Sequence, residues 1–353
     1  MKSHHAIAPL QRGINTLVQN GTLKPQKTIL LTGTGTELSN INALKGRAKR
    51  KVITQSMVLN LLDAAAKAAV QNEKIYRGYW NTYYCQNKVY TANGRMYGIY
   101  CKNRFCTLCC SIRKAEIINK YLPVLEKWED PYFITLTVKS VSKKLLHKRI
   151  RDVLRAFKLI IDKHRKRNQR GDTIRLMGLK AVECNFNPIK KTYNPHIHLI
   201  VPNKLIADTL LCDWQSKWTT KFVNPKGQLA VKVYNKEKAL IEIIKYGSKI
   251  FTEPDVNNKT YSTVNRTLYV AALNNIFTVM KNLRIFERFG FNLPMASFKP
   301  IIAPTITKNY NEWNFDLKSH DWLNSKNDDV LTEYMPHSDL VELLERRIDT
   351  ERD

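Results

Sequence analysis

The chain has 353 residues, 43% of them hydrophobic, which allows one large domain or two modest domains with a sizeable core. Its formal net charge of +28 favours a polyanionic partner such as nucleic acid. The sequence contains no apolar run near the length of a membrane span, and no apolar signal core follows Met1. We therefore expect a cytoplasmic protein with no membrane partner, whose 7 cysteines are reduced.

The charge is unevenly distributed along the chain. Residues 311–353 hold 12 acidic and 5 basic side chains, which leaves 18 acidic and 53 basic side chains in residues 1–310. The 16 tyrosines, 12 phenylalanines and 6 tryptophans include rings that can stack on unpaired bases, although most of them must lie in the core. The composition thus predicts a basic body that binds nucleic acid, followed by an acidic tail.

The first 80 residues predict a basic N-terminal region with one helix. Residues 1–55 are polar and basic. Their Gly-Thr-Gly-Thr stretch at 33–36 lacks the Gly-Lys-Ser/Thr of a P-loop, which favours a flexible turn. Residues 56–73 are rich in strong helix formers and predict a helix.

Four cysteines crowd into residues 101–110. Cys106 and Cys109 have the Cys-x-x-Cys spacing typical of zinc sites, and Cys101 adds a third thiol within reach of one tetrahedral ion. Two other interpretations remain open. The thiols can be buried and free, or Cys106 and Cys109 can form a redox pair, although nothing thioredoxin-like surrounds them.

The fourth zinc ligand has two candidates. Cys110 is disfavoured because adjacent residues rarely bind one ion comfortably, which leaves Cys85, sixteen residues before Cys101. Ligation by Cys85 would make residues 90–98 a loop that the metal closes. We therefore predict a structural zinc element within residues 81–127.

Strands and helices alternate in the next part of the chain. Apolar patterns predict a strand at 131–138, a helix at 143–168, a hairpin at 174–202, a helix at 205–221, a strand at 229–234 and a helix at 236–251. The order β-α-β-β-α-β-α is typical of a split βαβ arrangement, an α+β fold with an antiparallel sheet. We expect its helices to pack mainly on one face of the sheet.

The hairpin contains a pair of histidines, His196 and His198. Residues two apart on a strand project from the same face, so both imidazoles leave one side while Ile197 anchors the other. Glu183, on the first strand of the hairpin, shares the histidine face if the apolar residues of both strands meet one core. Two imidazoles and a carboxylate suit a divalent ion such as Mn²⁺ or Mg²⁺, with positions open for water and a phosphate oxygen. The alternative is a strand with two solvated histidines.

The helix predicted at 236–251 places Glu242, Tyr246 and Lys249 along one face. A tyrosine between an acid and a base can act as a nucleophile, because the lysine favours the phenolate and the carboxylate can accept a proton. This spacing alone is also typical of an ordinary amphipathic helix. The order of the motifs, histidine pair first and tyrosine helix second, favours the catalytic interpretation.

Three segments, in this order, resemble the motifs of the single-tyrosine replication initiators of rolling-circle plasmids, members of the HUH endonuclease superfamily. The segments are Phe133–Val138, Asn194–Leu199 with the preceding Glu183, and Glu242–Lys249. The resemblance covers roughly residues 80–260, and the joint occurrence of the motifs is more specific than any one of them.

The resemblance implies an α+β fold whose core is a ferredoxin- or RRM-like antiparallel sheet of the HUH type, within residues 128–260. It also implies that the Cys-x4-Cys-x2-Cys element lies just ahead of the first catalytic strand. Around this core the sequence predicts a helical extension at 261–310 and the acidic tail at 311–353.

In function, the resemblance implies a DNA-nicking endonuclease and strand transferase that starts plasmid rolling-circle replication. Tyr246 would attack the scissile phosphate and leave a 5′-phosphotyrosine bond and a 3′-OH primer. Lys249 would stabilise the phenolate or the phosphate, and Glu242 would act as general base for the closing cleavage. The implied partners are single-stranded or hairpin origin DNA, a host helicase and a host DNA polymerase.

Other functions compete with this interpretation. A tyrosine transposase of the same superfamily shares the chemistry, but such enzymes are generally shorter and lack the cysteine element. A conjugative relaxase usually has its tyrosine before the histidine pair. The non-enzymatic rival is a zinc-containing DNA-binding regulator in which the histidines are structural.

Overall fold

The structure is a computed structural model that describes residues 29–30, 32–68, 72–104, 106–245, 263–293, 305–306 and 309–338. The helices in these ranges are α1 (Ile41–Ala66), α2 (Glu73–Tyr83), α3 (Thr107–Leu125), α4 (Lys143–Gln169), α5 (Lys204–Lys217), α6 (Lys236–Lys245) and α7 (Thr263–Met280). The strands are β1 (Ile29–Leu30), β2 (Thr32–Glu37), β3 (Lys88–Ala92), β4 (Arg95–Gly98), β5 (Tyr132–Thr137), β6 (Gly178–Asn187), β7 (Thr192–Val201), β8 (Leu229–Lys232), β9 (Phe286–Phe289), β10 (Thr305–Ile306), β11 (Asn311–Asp316) and β12 (Asp321–Asn324). None of the described helices is both long enough and apolar enough to cross a membrane.

One five-stranded sheet, here called the histidine sheet, has the strand order β8-β5-β7-β6-β9. Every neighbouring pair in it is antiparallel. The chain from β5 to α6 follows the predicted order β-α-β-β-α-β-α, so this prediction is confirmed. The hairpin begins at Gly178 rather than at residue 174, and α5 ends at Lys217 rather than at residue 221. The predicted helix at 236–251 is described as far as Lys245, and its remaining residues lie outside the described ranges.

Helices cover both faces of the histidine sheet. α4 and α5 pack on one face, in a core that includes Ile134 and Leu199. α3 and α6 pack on the other face, where Leu125 and Ile243 are buried together with Ile200. The prediction of helices mainly on one face is therefore wrong. The reason is that the histidine face also carries apolar side chains such as Ile200, and these need a cover of their own.

The second five-stranded sheet has the order β12-β11-β3-β4-β2 and was not anticipated from the sequence. Its β3–β4 hairpin turns at Asn93 and Gly94, whose φ angles are 50° and 68°. Asn-Gly is the preferred dipeptide of such a turn, so residues 90–98 form a hairpin and not the predicted loop. The Gly-Thr-Gly-Thr stretch at 33–36 lies in β2, so the predicted flexible turn is also wrong.

Helix α1 begins much earlier than the predicted helix at 56–73. The side chain of Asn40 accepts a hydrogen bond from the backbone N–H of Ala43 and caps the first turn. The helix then runs through a basic stretch and ends at Ala66. That stretch looked solvated in the sequence, but its Arg47 and Lys51 are buried.

The C-terminal region is also more structured than predicted. Strand β11 pairs with β3 and with β12, so residues 311–324 of the predicted acidic tail belong to the second sheet. The carboxylate of Asp321 is buried and accepts hydrogen bonds from the backbone and hydroxyl of Thr332. In the predicted helical extension, α7 is followed by β9, which pairs with β6 at the edge of the histidine sheet. Residues 339–353 lie outside the described residues.

Candidate metal centres

Glu183, His196 and His198 meet on one face of the histidine sheet. In the β6–β7 register, Glu183 lies directly opposite His196, and His198 follows two residues later on the same face. The Oε2 atom of Glu183 lies 3.1 Å from Nε2 of His196 and 3.2 Å from Nε2 of His198. The three side chains are buried, and the sequence prediction that they come together agrees with the structure. We call this group the Glu-His-His centre.

The hydrogen bonds of His196 show what this centre can hold. Its Nδ1–H donates to the carbonyl oxygen of Asn194 over 2.9 Å. A neutral imidazole has only one N–H, so its Nε2 then directs a lone pair toward the Glu183 carboxylate. Two acceptors that face each other in a buried site are unfavourable unless a proton or a cation lies between them. The donor set therefore fits a divalent cation, with the Asn194 carbonyl as the group that orients the ligand.

Electrostatics favour the protonation states that a metal needs. Burial raises the pKa of the Glu183 carboxyl, but the neighbouring imidazoles of His196 and His198 outweigh this, and the pKa lies below its ordinary value. Burial lowers the pKa of His198, against the opposing effects of Glu183 and Glu242. An ionised carboxylate and a neutral imidazole are the forms that bind metal ions. The Thr135 hydroxyl lies 3.1 Å from Nδ1 of His198 and helps to fix that ring.

Helix α6 lies over the same face of the sheet as the Glu-His-His centre. Its Leu240, Ile243 and Ile244 are buried, as the amphipathic pattern predicted. Glu242 lies between them in sequence, and its charge acts on His198. The other two predicted catalytic residues, Tyr246 and Lys249, lie outside the described residues.

The four predicted zinc ligands, Cys85, Cys101, Cys106 and Cys109, also come together. Their sulfur atoms all lie within 4.8 Å of one another. The Sγ atom of Cys109 is 3.7 Å from that of Cys85 and 3.5 Å from that of Cys101. Tetrahedral zinc with Zn–S bonds of about 2.3 Å would place its sulfurs about 3.8 Å apart, so the spacing fits zinc. The thiol of Cys110 is not in the group and donates to the carbonyl oxygen of Arg104.

Sequence comparison identifies the relatives of the chain. A protein named Protein rep from Staphylococcus aureus is 31% identical over 180 residues, which are 46% of this chain and 73% of that protein. A Protein rep from a Bacillus species is 23% identical over 200 residues, 48% of this chain and 64% of that protein. One from Streptococcus pneumoniae serotype 2 is 30% identical over 116 residues, 30% of this chain and 34% of that protein. The chain belongs to the Rep family of plasmid replication initiators.

The resemblance that the motifs indicated is thus confirmed at the level of the family. No family model matches the chain, and no solved structure matches it. The relatives therefore support membership of the Rep family through sequence similarity alone. The geometry of the Glu-His-His centre and of the four cysteines is a separate observation.

Two buried cations lie beside the four cysteines of this Rep protein, and sequence analysis missed them. The Nζ of Lys51 donates to the carbonyl oxygens of Tyr83 and Cys85 and to the side-chain oxygen of Asn87. One turn earlier on α1, Arg47 donates to the side-chain oxygen of Gln86 and to the hydroxyl of Tyr100. In the described ranges, neither cation has a carboxylate within ion-pair distance.

The missing counter-charge can come from the cysteines. Burial lowers the pKa of Lys51 to about 7, against the charges of Cys85, Cys106 and Cys101. Four thiolates around a divalent ion carry a net charge of minus two, which two buried cations would offset. The two cations beside the four cysteines therefore fit a site in which all four thiols are deprotonated.

Proposed function

We propose that this Rep protein nicks and rejoins one strand of plasmid origin DNA and so starts rolling-circle replication. The observation that carries the proposal is the convergence of Glu183, His196 and His198 on one face of the histidine sheet, beneath the helix that leads to Tyr246. The strand order supports the same assignment, because the antiparallel order β8-β5-β7-β6 is compatible with a split βαβ arrangement.

The proposed reaction begins with a nucleophilic attack by Tyr246. The hydroxyl oxygen of Tyr246 attacks the scissile phosphorus and loses its proton, and the P–O bond to the 3′ oxygen breaks. The products are a 5′-phosphotyrosine bond and a free 3′-OH, which takes up a proton and primes a host DNA polymerase. Lys249 offsets the charge of the phenolate or the phosphate. A host helicase supplies the unwinding, since the sequence has no helicase motif.

A divalent ion, Mn²⁺ or Mg²⁺, held by Glu183, His196 and His198 would polarise the scissile phosphate and offset its developing charge. The Asn194 carbonyl and the Thr135 hydroxyl keep the two imidazoles oriented for this task. The four cysteines would hold Zn²⁺ in a structural role.

Glu242 closes the cycle as a general base. The catalytic motif contains one tyrosine, Tyr246. The second cleavage would therefore use water in place of a nucleophilic side chain. The carboxylate of Glu242, four residues before Tyr246 in the sequence, would take a proton from that water. The packing of α6 on the face of the sheet that carries the Glu-His-His centre supports this role.

The decisive experiment looks for the covalent intermediate. Wild-type protein is incubated with Mn²⁺ and a single-stranded oligonucleotide that carries the origin, and the products are separated on a denaturing gel. The Tyr246→Phe variant should form no adduct and should still bind the oligonucleotide, because only the nucleophilic oxygen is lost. Tyr234→Phe is the matched control, because Tyr234 is nearby in sequence and 88% exposed, and it should form adduct normally.

Two results would contradict the proposal. A normal yield of adduct from the Tyr246→Phe variant would assign the chemistry to another tyrosine, with Tyr234 or Tyr261 as the next candidates. Supercoiled origin plasmid that stays intact with wild-type protein and Mn²⁺ would instead favour a zinc-containing DNA-binding regulator.

A further inference from the structure

A cavity of about 780 Å³ adjoins the Glu-His-His centre at the edge of the histidine sheet. Strand β9 pairs with β6 from Gly178 to Ala181, and the backbone N–H of Val182 donates to the carbonyl oxygen of Ile285. Residues 182–186 of β6 line the cavity. The opposite walls come from α2, from the loop between Cys101 and Cys106, and from the C-terminal half of α7 with the turn that follows. The cavity therefore lies between the Glu-His-His centre and the loop that joins Cys101 to Cys106.

The described residues that line this cavity are strongly basic. The cations come from α2, from the cysteine loop and from the end of α7, and they are Lys74, Arg77, Lys102, Arg104 and Lys281. Glu183 is the one carboxylate in the described lining, and it belongs to the metal centre. Cations that converge from three separate segments indicate a binding site for an anion.

Three of these cations are available to a ligand. Arg77 pairs with Glu73, and Arg104 donates to carbonyl oxygens at the end of α7. In contrast, Lys74, Lys102 and Lys281 have no ion pair among the described residues. Lys74 and Lys281 line the same cavity, and burial and the positive charge of Lys74 lower the pKa of Lys281.

Two further features of the cavity favour a nucleic-acid strand over a small anion as its ligand. The half-buried rings of Phe186 and Tyr269 line the cavity beside the cations, and rings of this kind stack on unpaired bases. A second cavity of about 240 Å³ shares Lys74 and Lys281 with the first and extends to Arg151 on α4. The cations thus follow a path that is longer than a single phosphate requires.

We propose that this basic cleft, lined by Lys74, Lys102 and Lys281, binds the unpaired DNA segment that flanks the scissile phosphate. The lysines contact backbone phosphates, and the rings of the cleft stack on bases. The inference rests on the proposed function, since it assigns the path of the strand that leads to the Glu-His-His centre.

The cysteine loop positions one wall of the cleft. The side-chain nitrogen of Asn103 donates to the carbonyl oxygen of Gly78 and to the hydroxyl of Thr82 on α2. The guanidinium of Arg104 donates to the carbonyl oxygens of Met280 and Leu283 at the end of α7. The loop that begins at Cys101 therefore bridges both helical walls, so the zinc element also supports DNA binding.

The test measures binding separately from cleavage. Lys74→Ala, Lys102→Ala and Lys281→Ala are combined in the Tyr246→Phe protein, and its affinity for a fluorescent single-stranded oligonucleotide is measured by anisotropy at several salt concentrations. Each phosphate contact on a single strand contributes a slope of about 0.7 in log K against log salt. The slope of the triple variant should therefore be smaller in magnitude than that of its parent by about 2. Its affinity at low salt should fall at least about tenfold.

Lys166→Ala in the same background is the matched control. Lys166 is exposed on α4, fifteen residues beyond Arg151, which is about 22 Å along the helix. The control should bind the oligonucleotide like its parent. A duplex of the same length should show a much smaller effect of the triple substitution.

The outcomes separate this inference from the proposed function. Unchanged affinity of the triple variant, or an equal loss with duplex and with the Lys166→Ala control, would overturn the cleft as the path of an unpaired strand. Adduct formation by wild-type protein would still stand in that case. A third result is that the wild-type protein forms no adduct while the triple variant loses affinity for the single strand. That result would contradict the nicking function and support the cleft.

Discussion

The four-cysteine group and the Glu-His-His centre differ in where their ligands come from and in what surrounds them. The cysteines come from the end of α2, from the segment after β4 and from the start of α3, so a metal there would join three segments. The Glu-His-His ligands come from one hairpin that the sheet already holds in place. The first group lies beside two buried cations, whereas the second faces a cavity of about 780 Å³.

This difference predicts different roles. Four thiolates complete a tetrahedral shell and leave no position for a substrate, which suits a structural ion. Two imidazoles and one carboxylate leave coordination positions open, which suits catalysis. Substitutions in the two centres should therefore separate folding from chemistry.

The largest effect is expected from His198→Ala. Loss of this ligand should lower the rate of origin nicking by about a thousandfold, since a catalytic metal supplies several kcal/mol and about 1.4 kcal/mol corresponds to a factor of ten. Zinc content, measured by mass spectrometry of the metal, should stay at one ion per chain, and the thermal unfolding midpoint should change little. A variant that loses zinc together with activity would show that the two centres are not separate.

Glu242→Ala should affect a later step. The variant should keep the initial nick, because that step needs Tyr246 and the metal ligands, but hydrolysis of the second cleavage site should fall at least about a hundredfold. The covalent intermediate should then accumulate on a denaturing gel. Glu237→Ala, on an exposed part of the same helix, is the control and should behave like wild type.

The alternative role for Glu242 is an ion pair with Lys238 or Lys245 on the surface of α6. Such a pair would contribute only a few tenths of a kcal/mol, about 0.3–0.5, to stability. If the Glu242→Ala variant nicks and terminates at wild-type rates, the ion-pair role is correct and the general base lies elsewhere.

Cys106→Ser should affect folding more than chemistry. The variant should bind no zinc, and its unfolding midpoint should fall by several degrees, because about 1 kcal/mol shifts the midpoint by roughly 2–4 °C in a domain of this size. Cys110→Ser is the matched control, since Cys110 is buried next to the group but donates to the Arg104 carbonyl. Retention of zinc by Cys106→Ser would exclude that residue as a ligand.

The sequence could predict both centres because their spacing is local. A strand places residues two apart on one face, which was enough to group His196 with His198. Cysteine spacing was enough to select Cys101, Cys106 and Cys109, and the fourth thiol, Cys85, lies one hairpin earlier. The Asn93-Gly94 turn of that hairpin was visible in the sequence, but the expectation of a metal-closed loop outweighed it.

The rest depends on contacts between distant segments. Strand β11 pairs with β3 more than two hundred residues away, and no local pattern indicates that partner. The cations of the basic cleft come from three segments, so each looked like an ordinary surface lysine. Lys51 lies in a basic stretch typical of a solvated helix, and only the fold shows that it is fully buried.

That buried lysine leads to the smallest predicted effect. If Lys51 offsets the charge of a four-thiolate site, Lys51→Met should weaken zinc binding about tenfold, the lower end of the effect seen for residues that support metal ligands. Affinity is measured by competition with a chromophoric chelator. Lys51→Arg keeps the charge and should restore most of the affinity, which separates charge from packing.

Lys45→Met, on the same helix and half-buried, is the control. Equal zinc affinity in the Lys51→Met and wild-type proteins would show that the thiolates need no counter-charge from α1.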